Sequence, residues 1–118
     1  MSAALALDID GTIDTADPYE LQRLSNYTDR YDIKRYINTA RSQAYCDDPD
    51  PLSTNIVNKK KHHCLIHRDP PTSKVKNMRK IQKSEKIDDP RCVVLIDDRP
   101  ENIDAVRDAG FSAVHVDA

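Results

Sequence analysis

Leu5-Ala6-Leu7-Asp8-Ile9-Asp10-Gly11-Thr12 is an apolar run that stops in two carboxylates one residue apart, followed by one of the two glycines of the chain. A strand buried on both faces carries apolar residues throughout, so the first ionisable residue marks where it leaves the core. Asp8 and Asp10 are therefore expected at a strand's carboxyl end, where open parallel sheets place their ligands. Gly11 lets the chain turn sharply and approach a ligand with no side chain in the way. Taken alone, the string also fits a plain strand followed by an acidic turn.

Carboxylates this close repel one another, and either a bound cation or a retained proton relieves the repulsion. Both remedies suit phosphoryl transfer. A hard ion such as Mg2+ takes carboxylate and phosphate oxygens, and a protonated carboxyl serves a leaving group.

The 118 residues suffice for one domain with one core. With 38% hydrophobic residues, no Trp and one Phe, that core should be thin and aliphatic. A net charge of -2 gives no argument for nucleic-acid or membrane binding, although basic residues crowd residues 59–86. Cys46, Cys64 and Cys92 are odd in number and lack C-x-x-C spacing, so no disulfide framework is expected, and a reducing, cytoplasmic compartment is the simpler reading. The amino terminus has no basic segment and runs straight into Asp8, so it reads as a strand and not a signal peptide; no stretch approaches membrane-spanning length.

Further along, Asp17-Pro18-Tyr19-Glu20 is a helix start, with Leu21, Leu24 and then Tyr27 or Tyr31 on its inner face. A strand over residues 33–38 ends at Thr39, and a short helix is expected over 40–45. Two prolines make 47–52 a loop, Ser53 or Thr54 caps a short helix through 57–61, and 64–66 is a brief third strand. After the Arg68-Asp69-Pro70-Pro71 loop, Thr72 or Ser73 caps a helix striped by Val75, Met78 and Ile81, with Lys74 in its first turn. A cation there opposes the helix dipole and asks for an anionic partner. Cys92-Val93-Val94-Leu95-Ile96 is a doubly buried strand ending in Asp97-Asp98; Pro100 opens a helix, Gly110 closes it, and residues 113–116 form a last strand. Strands alternating with helices predict an α/β domain around a parallel sheet.

Asp8 and Asp10, Thr39, and Asp97 and Asp98 thus fall at the carboxyl ends of three strands, with Lys74 near a helix start. The ordered set resembles the haloacid dehalogenase (HAD) superfamily of phosphatases and phosphotransferases, whose signatures are D-x-D-G-T/V, a Thr or Ser after a strand, a Lys, and an acidic pair after another strand. The likeness covers residues 5–116, and its first and last motifs are the specific ones. It implies a Rossmannoid three-layer sandwich with a central parallel sheet of about five strands. It also implies a Mg2+-dependent phosphatase acting on phosphomonoesters through an aspartyl-phosphate. Asp8 would be the nucleophile and Asp10 the general acid and base. Thr39 would bind a phosphoryl oxygen, Lys74 would balance charge, and Asn102 would orient Lys74. Asp8, Asp97, Asp98 and the main-chain carbonyl of Asp10 would hold Mg2+, with the direct ligand of the 97–98 pair left open. Lys76 is the alternative to Lys74.

Few residues separate Thr12 from the next helix, which predicts a single domain without the superfamily's cap. An open site would admit bulky or macromolecular phosphorylated substrates, nucleic acid ends among them; oligomeric state is not readable. A catalytically silent HAD-like binding module and a receiver-like phosphoacceptor domain are the competing classes. The intact D-x-D argues against the first, and Asp97-Asp98 against the second. His62, His63, Cys64 and His67 match no standard zinc spacing, and Lys59-Lys60-Lys61 reads as a solvated helix end.

Overall fold

Residues Ala4–Leu7 form β1, and the alternation of their side chains sets the layers of the molecule. The structure, a computed structural model, describes residues 2–57 and 60–117. Ala4 and Ala6 join a core cluster with Met78, Ile81, Leu95 and Val106, whereas Leu5 and Leu7 join a second with Ile13, Ile37, Ile56 and Val57. Successive strand residues point to opposite faces, so one doubly buried strand feeds two cores. On the second face lie α1 (Pro18–Arg30) and, beyond the five-residue α2 (Gln43–Asp47), α3 (Pro51–Ile56). On the first lie α4 (Pro70–Ser84) and α5 (Pro100–Asp108). The result is a three-layer α/β sandwich.

Four further strands complete the sheet: β2 (Lys34–Asn38), β3 (His62–His63), β4 (Val93–Asp97) and β5 (Ser112–His115). All pair in parallel, in the order β3-β2-β1-β4-β5. Strand order reverses at β1, which opens a crevice at its carboxyl end. Register does the rest. Leu7 lies opposite both Ile37 and Ile96, so the next residues, Asp8, Asn38 and Asp97, emerge side by side.

The middle of the chain departs from expectation in several ways, most with one cause. An Asp immediately before Pro starts α1, α3 and α4: Asp17 accepts from Tyr19 N, Asp50 from Ser53 N and Asp69 from Thr72 N. Pro at the first helical position sacrifices no hydrogen bond. Helix α3 therefore begins inside the expected 47–52 loop, capped by Asp50 and not by Ser53 or Thr54, and ends at Ile56; part of the expected continuation through 57–61 lies outside the described residues. Likewise Asp69, not Thr72 or Ser73, caps α4, which moves Lys74 from the first turn to the second. The 40–45 helix appears later, as α2, because Thr39, Ala40 and Arg41 form a turn. Strand β3 is His62–His63, not 64–66, because Leu65 N leaves the ladder to bond Arg41 O at 2.8 Å. Tyr27 and Tyr31 are exposed; Thr28 takes the inward position, its hydroxyl bonded to Leu24 O at 2.8 Å.

The cysteines also depart from expectation. Cys46 and Cys64 form a disulfide across 18 residues of sequence. The spacing gave no sign of it, because the pair is brought together by the path from α2 to β3. Cysteine usage consequently lends no support to a reducing, cytoplasmic compartment. Among the described residues, no helix is long and apolar enough to cross a membrane.

Candidate active site

At the floor of the crevice Asp8 is 5% exposed, its N–H bonded to Ile96 O at 3.0 Å. Lys74, 1% exposed, reaches it from α4: Nζ lies 2.7 Å from Asp8 Oδ1, 3.0 Å from Asp97 Oδ2 and 2.6 Å from Asn38 O. Three acceptors match the three protons of an ammonium. The second-turn position of Lys74 follows from Asp69 capping and leaves its stem among the buried residues of α4, while Lys76 is exposed. Burial outweighs the ammonium at Asp8: desolvation, opposed by Lys74 and assisted by the Asp97 charge, pushes its carboxyl up to about 7.

Carboxylate oxygens of Asp8, Asp97 and Asp98 lie within 4.8 Å of one another. Their partners differ. Asp97 is saturated, accepting from Lys74 Nζ and from Asn102 Nδ2 at 3.1 Å on Oδ2, and from Arg99 N at 3.1 Å on Oδ1. Asn102 therefore orients Asp97, not Lys74. Asp98 Oδ1, by contrast, is buried without a hydrogen-bond partner, which in native proteins asks for an explanation such as an ion. Gly11 makes room for this carboxylate, since a Cβ there would stand 2.2 Å from Asp98 Oδ2, and its φ of +76° suits glycine besides. An all-oxygen set with an orphaned carboxylate atom fits Mg2+. The candidate zinc residues make no such group: Cys64 is in the disulfide, and His62 Nε2 contacts Ser53 Oγ at 3.1 Å.

Asp10 sits higher. It shares with Asp8 and Lys74 a cleft of about 250 Å3, but its side chain is 61% exposed. Arg41, which the sequence reading passed over, grips it with both arms of the guanidinium: Nε to Oδ2 at 3.1 Å and Nη2 to Oδ1 at 2.8 Å. These bonds hold the Asp10 carboxyl below the usual carboxylate range. No local spacing ties the two residues, which are 31 residues apart in sequence. Thr39 is buried after β2, and its hydroxyl accepts from Arg41 N at 3.2 Å. The structure thus joins Lys74 to Asp8 and Asp97, sets Asp98 beside them, places Asp10 at the exposed rim in the grip of Arg41, and leaves Thr39 buried next to Arg41 N.

No protein-family model matches the sequence, and no curated protein matches it. Solved structures do. An uncharacterized protein from Corynebacterium glutamicum superposes at a TM-score of 0.73 and 14% identity, over 100% of this chain and 87% of that one. The N-terminal part of a Bacteroides fragilis protein, containing a phosphatase domain and complexed with Mg, gives 0.69 at 17% identity, over 98% of this chain and 36% of that one. A predicted HAD-like family hydrolase from Porphyromonas gingivalis gives 0.56 at 12% identity, over 99% and 92%. Likeness at these identities is likeness of fold, and the fold of this chain is HAD-like.

Proposed function

We propose that this chain is a Mg2+-dependent phosphatase that hydrolyses phosphomonoesters through an aspartyl-phosphate on Asp8. The observation that carries the reading is the buried contact of Asp8 with Lys74 at 2.7 Å beside the oxygens of Asp97 and Asp98, at the carboxyl edge of a HAD-like sheet. An Asp8 oxygen attacks phosphorus as the bond to the ester oxygen breaks, and Asp10 delivers the proton that oxygen needs. Water then attacks the acyl phosphate and gives its proton to Asp10; the bond to Asp8 breaks and inorganic phosphate leaves. Lys74, fixed by Asn38 O and Asp97, balances charge on the phosphoryl group. The Thr39 hydroxyl accepts from Arg41 N, which leaves its own hydrogen for a phosphoryl oxygen. Asp8, Asp98 and the Asp10 main-chain carbonyl would hold Mg2+, with Asp97 steadying the cluster, and the ion would supply charge neutralisation for an entering phosphate dianion.

Asp10 and Arg99 line the same cleft and are exposed, so the site opens to solvent. Phosphorylated substrates of any bulk, nucleic acid ends among them, then reach Asp8, and small esters gain little binding energy beyond the phosphate. The test is release of phosphate from p-nitrophenyl phosphate by the purified chain in Mg2+. Turnover is expected, and loss of it in Asp8→Asn or in excess chelator. Undiminished activity in either refutes the mechanism.

A further inference from the structure

Residues 41–53 contribute nothing to the acidic cluster, yet several of them are tied down around the side chain of Arg41. Arg41 O accepts from Leu65 N at 2.8 Å, and Arg41 N bonds Thr39 Oγ1 at 3.2 Å. Its guanidinium lies 4.6 Å from the centre of the Tyr45 ring, and Nη1 stands 3.6 Å from Asp50 Oδ2. Tyr45 is fixed in turn by its hydroxyl, 2.8 Å from Asp50 Oδ2 and 2.7 Å from Ser53 Oγ. The next residue, Cys46, is cross-linked to Cys64. An arginine stacked on a ring and anchored through its backbone has few orientations left, and its free edge presents two parallel N–H donors. Those donors meet both oxygens of Asp10.

We propose that Arg41 is a positioning residue for the reaction: its fork fixes the Asp10 carboxyl at the mouth of the cleft, above Asp8, where a leaving group departs. Alone, a side chain as exposed as Asp10 would sample several rotamers, and a misplacement of about 1 Å costs on the order of 100-fold in rate. Tyr45 and Asp50 of the α2–α3 segment hold the guanidinium for this contact. The inference rests on the phosphatase reading, and the experiment separates the two.

Steady-state kinetics on phenyl phosphate in saturating Mg2+ compares wild type, Arg41→Gln, Asp10→Asn and the double variant, with Ki for inorganic phosphate measured for each. Arg41→Gln should lower kcat on the order of 10- to 100-fold and leave Ki within about twofold. Arg41→Lys should recover only part, because an ammonium cannot fork. In the Asp10→Asn background the second change should cost nothing more, since the residue acts through Asp10. An unchanged kcat in Arg41→Gln, the same loss in both backgrounds, or a Ki that rises as far as kcat falls overturns the inference and leaves the phosphatase intact. The last result would make Arg41 a phosphate ligand. Should Arg41→Gln fail to fold, the Lys variant and its cycle with Asp10→Asn decide the matter alone. Absence of turnover in the wild type refutes the phosphatase reading, and the role of Arg41 falls with it.

Discussion

Asp8→Asn should stabilise the metal-free protein while abolishing its activity. The Asp8 carboxyl stands at about 7, against 3.8 for the ordinary group, chiefly because burial strips water from it. A carboxyl raised on folding makes a contribution that is whole below the unfolded value and lost as pH climbs through the folded one. Ionised Asp8 therefore costs nothing near pH 4, progressively more between pH 4 and 7, and its full amount at pH 8. Three units correspond to roughly 4 kcal/mol at most, and since Lys74 retains Asp97 and Asn38 O in the variant, a gain of about 2–4 kcal/mol is expected at pH 8. Urea unfolding in EDTA at pH 4.5, 6 and 8 reads it directly. The two proteins should converge in acid and diverge with rising pH. Mg2+ should stabilise the wild type at pH 8 far more than the variant, because only the wild type retains the charge that binds it. An Asp8→Asn protein no more stable than wild type at pH 8, or a gap independent of pH, would refute the claim that burial governs this carboxyl.

Four other changes probe the site and its frame. Asp98→Asn should weaken Mg2+ binding, read by calorimetry, by about 100-fold or more while hardly changing urea stability; Asp97→Asn, which loosens Lys74, should cost about 1–3 kcal/mol of stability. Gly11→Ala forces a Cβ against Asp98 Oδ2 at φ +76°, so both Mg2+ affinity and about 1–3 kcal/mol of stability should be lost; binding equal to wild type would show that Asp98 does not need this space. Replacing Cys46 and Cys64 by Ser reopens an 18-residue separation and should lower unfolding stability by about 3 kcal/mol, as should a dithiol reductant on the wild type.

The sequence announces its charged site far better than its frame. Asp8, Asp97 and Asp98 interrupt apolar runs, and a run of buried residues ending in a carboxylate marks a sheet edge whatever the details of the strand. Strands β1 and β4 are readable for that reason, and the in-register parallel pairing of β2 with β1 carries the end of β2, at Asn38 and Thr39, to the same edge. The stretch from α2 to β3 holds elements of 5, 6 and 2 residues, too short to display any period. Asp-Pro signals a helix start at residues 17–18; at 50–51 and 69–70 a second proline nearby points to a loop instead, yet the same cap operates there. The grip of Arg41 on Asp10 and the Cys46–Cys64 bond both depend on how that stretch is routed, so neither was accessible from spacing.

The electrostatics of the cleft's own side chains runs against the chemistry proposed for it. Environment drives the two carboxyls apart, Asp8 upward by burial and Asp10 downward by the hydrogen bonds of Arg41. A nucleophile should be ionised and a general acid protonated, yet at neutral pH Asp8 retains much of its proton and Asp10 has none. Each deficit has a remedy that arrives with a ligand. A cation at the Asp8–Asp98 cluster favours the charged form of Asp8, which restores the nucleophile. A phosphate dianion set between Asp8 and Asp10 brings like charge to Asp10 and opposes the pull of Arg41, raising the carboxyl toward the value an acid needs. In the proposed mechanism the metal would thus arm the nucleophile and the substrate the acid. A protein loaded with neither has little means to attack phosphorus or to expel an alkoxide.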